Sequence, residues 1–129
     1  MTAREVDAVL TRAADTIEDQ AYPYQFQNWN TCAVGHIAAA VQGRDPGLID
    51  EAELLEAVSD PTAGGELMEA LREIARRIPP APYEGGTLHE RGPEERISDR
   101  SLDHEGHGDK RGGVARWLRS LRATGETTA

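Results

Sequence analysis

The chain has 129 residues with 14 basic and 23 acidic side chains, a formal net charge of −9. That length suits one domain, and the acidic balance argues against direct binding to nucleic acid, which needs clustered cations. Leu, Ile, Val and Phe together make only 23 of the 129 residues, close to the composition at which chains stop burying a core, so packing is expected over only part of the length.

Residues 2–20 read as a first helix. Thr2 and Glu5 have the spacing of a capping box, in which each side chain satisfies an orphan backbone donor. Val6, Val9, Leu10, Ala13, Ala14 and Ile17 recur at three- and four-residue steps and form one apolar stripe. Glu5, Asp7, Arg12, Asp15 and Glu18 fall largely outside it. The next ten residues, 21–30, hold four of the six aromatic side chains: Tyr22, Tyr24, Phe26 and Trp29. Pro23 opposes a continued helix. Extended geometry puts Tyr22, Tyr24 and Phe26 on one side and Gln25 and Gln27 on the other. The segment reads either as a recognition loop or as a clasp adding apolar area over the first two helices.

A second helix is predicted from about Thr31 to Gln42, with Asn30 or Thr31 as N-cap and Gly43 just past its end. Ala33, Val34, Ile37, Ala38 and Val41 make its stripe. The turn RDPG (44–47) leads to a short third helix, in which Asp50 and Glu53 repeat the capping-box spacing and Leu54, Leu55 and Val58 are apolar. It ends near Asp60-Pro61. A fourth runs from about Ala63 or Gly64 to Ile78, with Leu67, Met68, Leu71, Ile74, Ala75 and Ile78 on its inner face. Arg72, Arg76 and Arg77 suit its C-terminal half, and Pro79-Pro80 stops it. Between Pro79 and about Gly113, prolines, glycines and charges dominate, and only Leu88, Ile97 and Leu102 offer anchors. Residues 79–112 therefore read as a long irregular loop. A last helix, about Val114 to Ala123, aligns Val114, Trp117, Leu118 and Leu121. The expected fold is all-α, one domain over residues 1–129: a small bundle of four to five helices. Helices one, two, four and the last make the core.

Charge is uneven. Residues 45–75 hold nine acids against Arg72, whereas residues 110–122 hold Lys110, Arg111, Arg116, Arg119 and Arg122 and no acid. Either the basic last helix lies near the acidic middle helices, or the acidic face meets a partner through Glu53, Glu56 and Glu66. A variant of the second reading is an acidic inhibitor that mimics nucleic acid.

Two constellations could carry chemistry. Cys32 is predicted in the first turn of helix two, where backbone N–H groups and the helix dipole favour a thiolate. Papain-like enzymes place a nucleophile similarly, but their oxyanion-hole glutamine, six residues earlier, is Phe26 here, and no β-rich half follows. Cys32 and His36 are also one turn apart on one face. Together with His104 and His107 of DHEGHGD (103–109), they make a candidate Cys-His₃ set of the type zinc favours. Such a site would fasten the polar loop to the helical core. Without metal, Cys32 is expected to behave as a small buried hydrophobe, with His36 half-exposed and the loop histidines solvated. His89 reads as solvated in either case. Glycines 106, 108, 112 and 113 with Lys110 and Arg111 suggest an anion cradle, but their spacing matches neither a P-loop nor a dinucleotide fingerprint.

The order of elements resembles a family of small, uncharacterised helical proteins from actinobacteria and their phages. The match rests on Val9-Leu10-Thr11-Arg12-Ala13-Ala14 with Ile17-Glu18, on Cys32-Ala33-Val34-Gly35, on Ser98-Asp99-Arg100 and on Val114 through Ala123, about half of the chain. The resemblance implies a structural role for Cys32 on a closely packed helix. His36 and the HEGHGD loop depart from the family pattern, so a metal site would be particular to this chain.

No stretch of about eighteen apolar residues is present to span a membrane. The opening MTAREVDAVL lacks the apolar region of a secretory signal, and one cysteine suits a reducing compartment. The sequence therefore predicts a small cytoplasmic protein-binding or regulatory module, non-enzymatic and without a cofactor, a monomer or homodimer. Its contact surfaces would be Tyr22, Tyr24, Phe26 and Trp29, and the acids Glu53, Glu56 and Glu66. The alternative is a zinc-binding domain using Cys32, His36, His104 and His107.

Overall fold

A computed structural model describes residues 1–19, 32–60, 62–79, 92–102 and 110–123. These form six α-helices: α1 (Ala3–Glu18), α2 (Cys32–Gln42), α3 (Glu51–Ala57), α4 (Glu66–Arg77), α5 (Pro93–Leu102) and α6 (Lys110–Ser120), with a short 3-10 turn at Pro46–Leu48. Among the described residues there is no strand, and no helix is long and apolar enough to cross a membrane.

Local chemistry fixes several of the boundaries. At the start of α1, Thr2 Oγ1 accepts from the Glu5 amide at 3.1 Å, and the Thr2 amide donates to Glu5 Oε1 at 2.7 Å, the reciprocal pair that the Thr-x-x-Glu spacing predicts. At the end of α2, Gly43 adopts φ +65°. Its amide donates to Ala40 O at 3.3 Å, and the Arg44 amide donates to Ala39 O at 2.9 Å. Those are the two bonds of a Schellman ending, which needs a left-handed residue after the helix. Asp50 Oδ1 caps α3 by accepting from the amides of Ala52 and Glu53. α4 starts at Glu66, two or three residues later than the apolar pattern suggests, because Gly65 takes φ +104°. Ile78 turns extended before Pro79, as a residue preceding proline must.

α2 sits centrally, against α1, α4 and α5, while α1 packs mainly on α6 and α2. Leu10, Ile37, Leu71, Ile74, Ile97 and Leu118 are fully buried at their junctions. The small side chains Ala33, Ala38, Ala13 and Ala14, all buried, permit the close approach of α1 and α2, so a chain short of Leu and Val still closes a core.

Three expectations are corrected. Residues 79–112 are not irregular throughout: α5 lies within them, making six helices rather than four to five. Among the described side chains of α5, Ile97 and Ser101 are deeply buried, and Ser101 gives its hydroxyl proton to Ser98 O at 2.7 Å. Ile97 stands among polar and charged neighbours, so the segment shows no apolar period to read. Beside Ile97, which joins the core, polar contacts hold α5: Arg96 Nη2 donates to Ile78 O at 3.2 Å and Arg100 Nη1 to Pro79 O, at the end of α4 where carbonyls are left open. Second, α6 starts at Lys110 rather than Val114, its first turn including Gly112 and Gly113. Third, α6 docks on α1 rather than beside the acidic middle helices. Arg119 Nη2 lies 2.8 Å from Asp15 Oδ1 and 2.6 Å from Glu18 Oε1, which hold the guanidinium pKa above its ordinary value.

Asp7 also differs from its expected place outside the apolar stripe. It is buried, 7% exposed, and its Oδ1 accepts from Arg77 Nη1 at 2.6 Å and from the Ala123 amide at 2.8 Å. Arg77 further donates to Glu73 Oε2 at 3.0 Å and to Leu121 O at 3.2 Å. This knot joins the start of α1, the end of α4 and the end of α6.

Candidate functional site

The acids of residues 45–75 divide by what they touch. Asp50 caps α3. Asp60 accepts from the Thr62 amide and hydroxyl, which lowers its carboxyl pKa. Glu69 meets the Met1 amine at 2.8 Å. Glu73 pairs with Arg76 and Arg77, and their hydrogen bonds lower its pKa too. Glu53, Glu56 and Glu66 remain exposed, where the sequence reading placed its contact residues.

Within this region the apolar side chains of α3 are split. Leu54 and Val58 turn inward, 5% and 2% exposed, while Leu55 stands 46% exposed, and Leu48, just before the helix, 63%. Leu54 and Val58, four apart, share the inner face, and Leu55, about 100° round the helix from Leu54, lies at its outer edge. Consecutive apolar positions do not by themselves signal exposure, since Val9 and Leu10 are both buried.

α3 packs along α2 and is flanked by two clefts. One, about 220 Å³, is floored by Val34, Leu55 and Val58 and walled by Glu94, Glu95, Ser98 and Asp99 of α5. The other, about 170 Å³, lies toward α2 and α4 and includes Ile49, Leu54 and Leu67 with Arg44, Asp50 and Glu53. The arginines of α5 turn to the carbonyls of Ile78 and Pro79, whereas its acids line the first cleft. Partial burial there, with the neighbouring Glu95, raises the Glu94 carboxyl pKa. Glu94, Glu95 and Asp99 carry no site signal in the sequence, because their segment, rich in charge and proline, reads as loop.

Of the candidate zinc ligands, the side chain of His36 alone lies among the described residues. His104 and His107 fall outside them, as do Tyr22, Tyr24, Phe26 and Trp29; Cys32 is placed as the first residue of α2. His36 is buried, 2% exposed, not half-exposed as expected. Burial pushes its pKa down to about 4, so the ring is neutral near pH 7. Its Nδ1 lies 2.7 Å from Thr16 Oγ1, which is also 3.0 Å from Ala13 O. A hydroxyl has one proton to give. With Ala13 O as its acceptor, Nδ1–H donates to Thr16. Among the described residues no three His, Cys, Asp or Glu side chains gather as a metal set.

Comparison of the chain with models of known protein families, with curated proteins and with solved structures returns no match.

Proposed function

We propose that this chain is a non-enzymatic protein-binding module whose contact surface is the outer side of residues 48–56 with the start of α4. The observation that carries this reading is the exposure of Leu48 and Leu55 in one short stretch with the exposed carboxylates of Glu53 and Glu56. An apolar centre bordered by polar groups is the anatomy of a protein interface. Glu66 extends the acidic border onto α4. Quantitative affinity capture from source-cell lysate tests the reading, with the partner then purified and titrated directly. Leu48→Ser with Leu55→Ser, and separately Glu53→Gln with Glu56→Gln, should each weaken the purified pair at least tenfold. Equal binding by all three proteins would remove the surface from the account.

A zinc-binding domain using Cys32, His36, His104 and His107 is the second reading. It is favoured by one feature, the placement of Cys32 and the neutral His36 one turn apart on α2, the spacing at which two ligands share a helix face. Native mass spectrometry of protein purified without chelator tests it. One zinc per chain, lost with His36→Ala and His107→Ala, is the expected mass; bare protein after zinc addition would remove this reading.

A further inference from the structure

We propose that α3, from its cap at Asp50 to the turn at Asp60, is a lid. It opens by itself while the rest of the bundle stays folded, and uncovers an apolar trough on α2 between α4 and α5.

The helix cannot hold itself. α3 runs from Glu51 to Ala57, and Leu54 is its buried residue, with Val58 buried as the C-cap. Helices this short are not stable alone, so α3 stays formed only while those two side chains are seated. Its flanks are loosely packed: a cleft of about 220 Å³ opens toward α5 and one of about 170 Å³ toward α4. α3 can therefore lift without α4 or α5 having to repack. The chain on either side is anchored. Before the lid, Pro46 and Ile49 are buried; after it, Ala63 O accepts from Arg72 Nη1 of α4 at 3.0 Å. Opening is thereby confined to the segment between two fixed ends, a unit of local unfolding.

Beneath the lid lie Val34 and Ala38, 2% and 0% exposed, one turn apart on the same face of α2. Val34 lines one cleft and Ala38 the other. When α3 lifts, the two clefts join as one groove with an aliphatic base, edged on the α4 side by Leu67. The closed lid carries Glu53, Leu55 and Glu56 on its exposed side, so a partner seated there would hold it shut. The opening itself needs no partner and is measured on the chain alone, whatever the outcome for the contact surface.

Amide hydrogen exchange of the full chain, followed by NMR at several urea concentrations below the unfolding transition, tests this. The amides of Leu54 and Val58 donate to Asp50 O and Leu54 O. Corrected for intrinsic rates, they should exchange at least tenfold faster than amides of α1 and α6. Their rates should rise with urea, but less steeply, because the opening exposes one lid and not the whole core. Ile17→Val, in the core of α1, should speed the α1 and α6 amides about threefold or more and leave those of α3 within twofold. A chemical probe reads the trough. In a Cys32→Ser background, Val34→Cys should react with a thiol reagent at least tenfold faster than Val6→Cys, buried in α1. Equal exchange rates with equal urea dependence in α3 and α1 would overturn the proposal, since α3 would then open only by global unfolding. Exchange in α3 that ignores urea would also overturn it, because fraying of single bonds uncovers no trough. Equal thiol reactivity at positions 34 and 6 would do the same. Where a cysteine variant fails to fold by circular dichroism, exchange in the parent and in Ile17→Val decides.

Discussion

Replacing Asp7 by alanine is expected to destabilise the protein by about 3 kcal/mol, near the lower end of what breaking a buried ion pair costs. The carboxylate and its Arg77 partner each expose 10% of their side chains, so water does not replace what is lost. The bonds from Arg77 Nη1 and from the Ala123 amide are among those lost; hydrogen bonds to charged groups contribute about 1.5–3 kcal/mol each. The loss is not larger because Arg77 keeps Glu73 and Leu121 O. Asp7→Asn retains an acceptor and should lose about half as much. Urea unfolding followed by circular dichroism measures these differences, with thermal midpoints falling by roughly 10 °C for the alanine variant. Arg77→Met in the Asp7→Leu background should recover part of the single-variant losses, because an apolar pair leaves no buried charge. A loss below about 1 kcal/mol for Asp7→Ala, or strictly additive losses, would refute the knot as the clamp between α1, α4 and α6.

Three further outcomes follow from other contacts. His36 is neutral in the fold with a pKa of about 4 against about 6.5 unfolded. The unfolded chain therefore binds more protons between those values, so stability is full above about pH 6.5 and falls as pH drops toward 4, by at most about 3 kcal/mol. His36→Gln should flatten that slope relative to the parent, Glu94 contributing with the opposite sign in both; an NMR titration of His36 with a midpoint above 6 would refute the assignment. Gly43→Ala meets no atom within 4 Å but must keep φ +65°, so it should cost about 1 kcal/mol by denaturant titration, with Asn tolerated better; a neutral result would mean the ending of α2 rearranges. Arg119→Ala should cost under about 1 kcal/mol, since its acids are partly exposed; because salt screens this pair, the difference from the parent should shrink in 1 M NaCl.

Legibility in the sequence followed the range of the interaction. The caps of α1 and α3, the glycine ending of α2 and the proline stop of α4 are contacts between residues a few positions apart, and short motifs specify them. The apolar stripes of α1, α2 and α4 were readable because many buried residues repeat at one period. α5 escaped that rule: Ile97 and Ser101 are its deeply buried residues among those described, and its arginines answer carbonyls of another helix. The candidate site divides in the same way. Glu53, Glu56 and Glu66 are exposed where a charge run on helices suggested. The wall of the cleft on α5, the emergence of Leu48 and the burial of His36 depend on which helix lies alongside.

The sequence by itself determined an all-helical chain and most of its helix ends, because propensity, capping and periodicity act within one or two turns. Only the tertiary structure decided the fate of its polar side chains. Asp7, read as outside the apolar stripe, became a buried anchor 70 residues from Arg77. Arg119 chose α1 over the acidic helices. Such groups can be buried or paired only where another segment supplies the opposite charge or the missing hydrogen bond, and no local pattern encodes that partner.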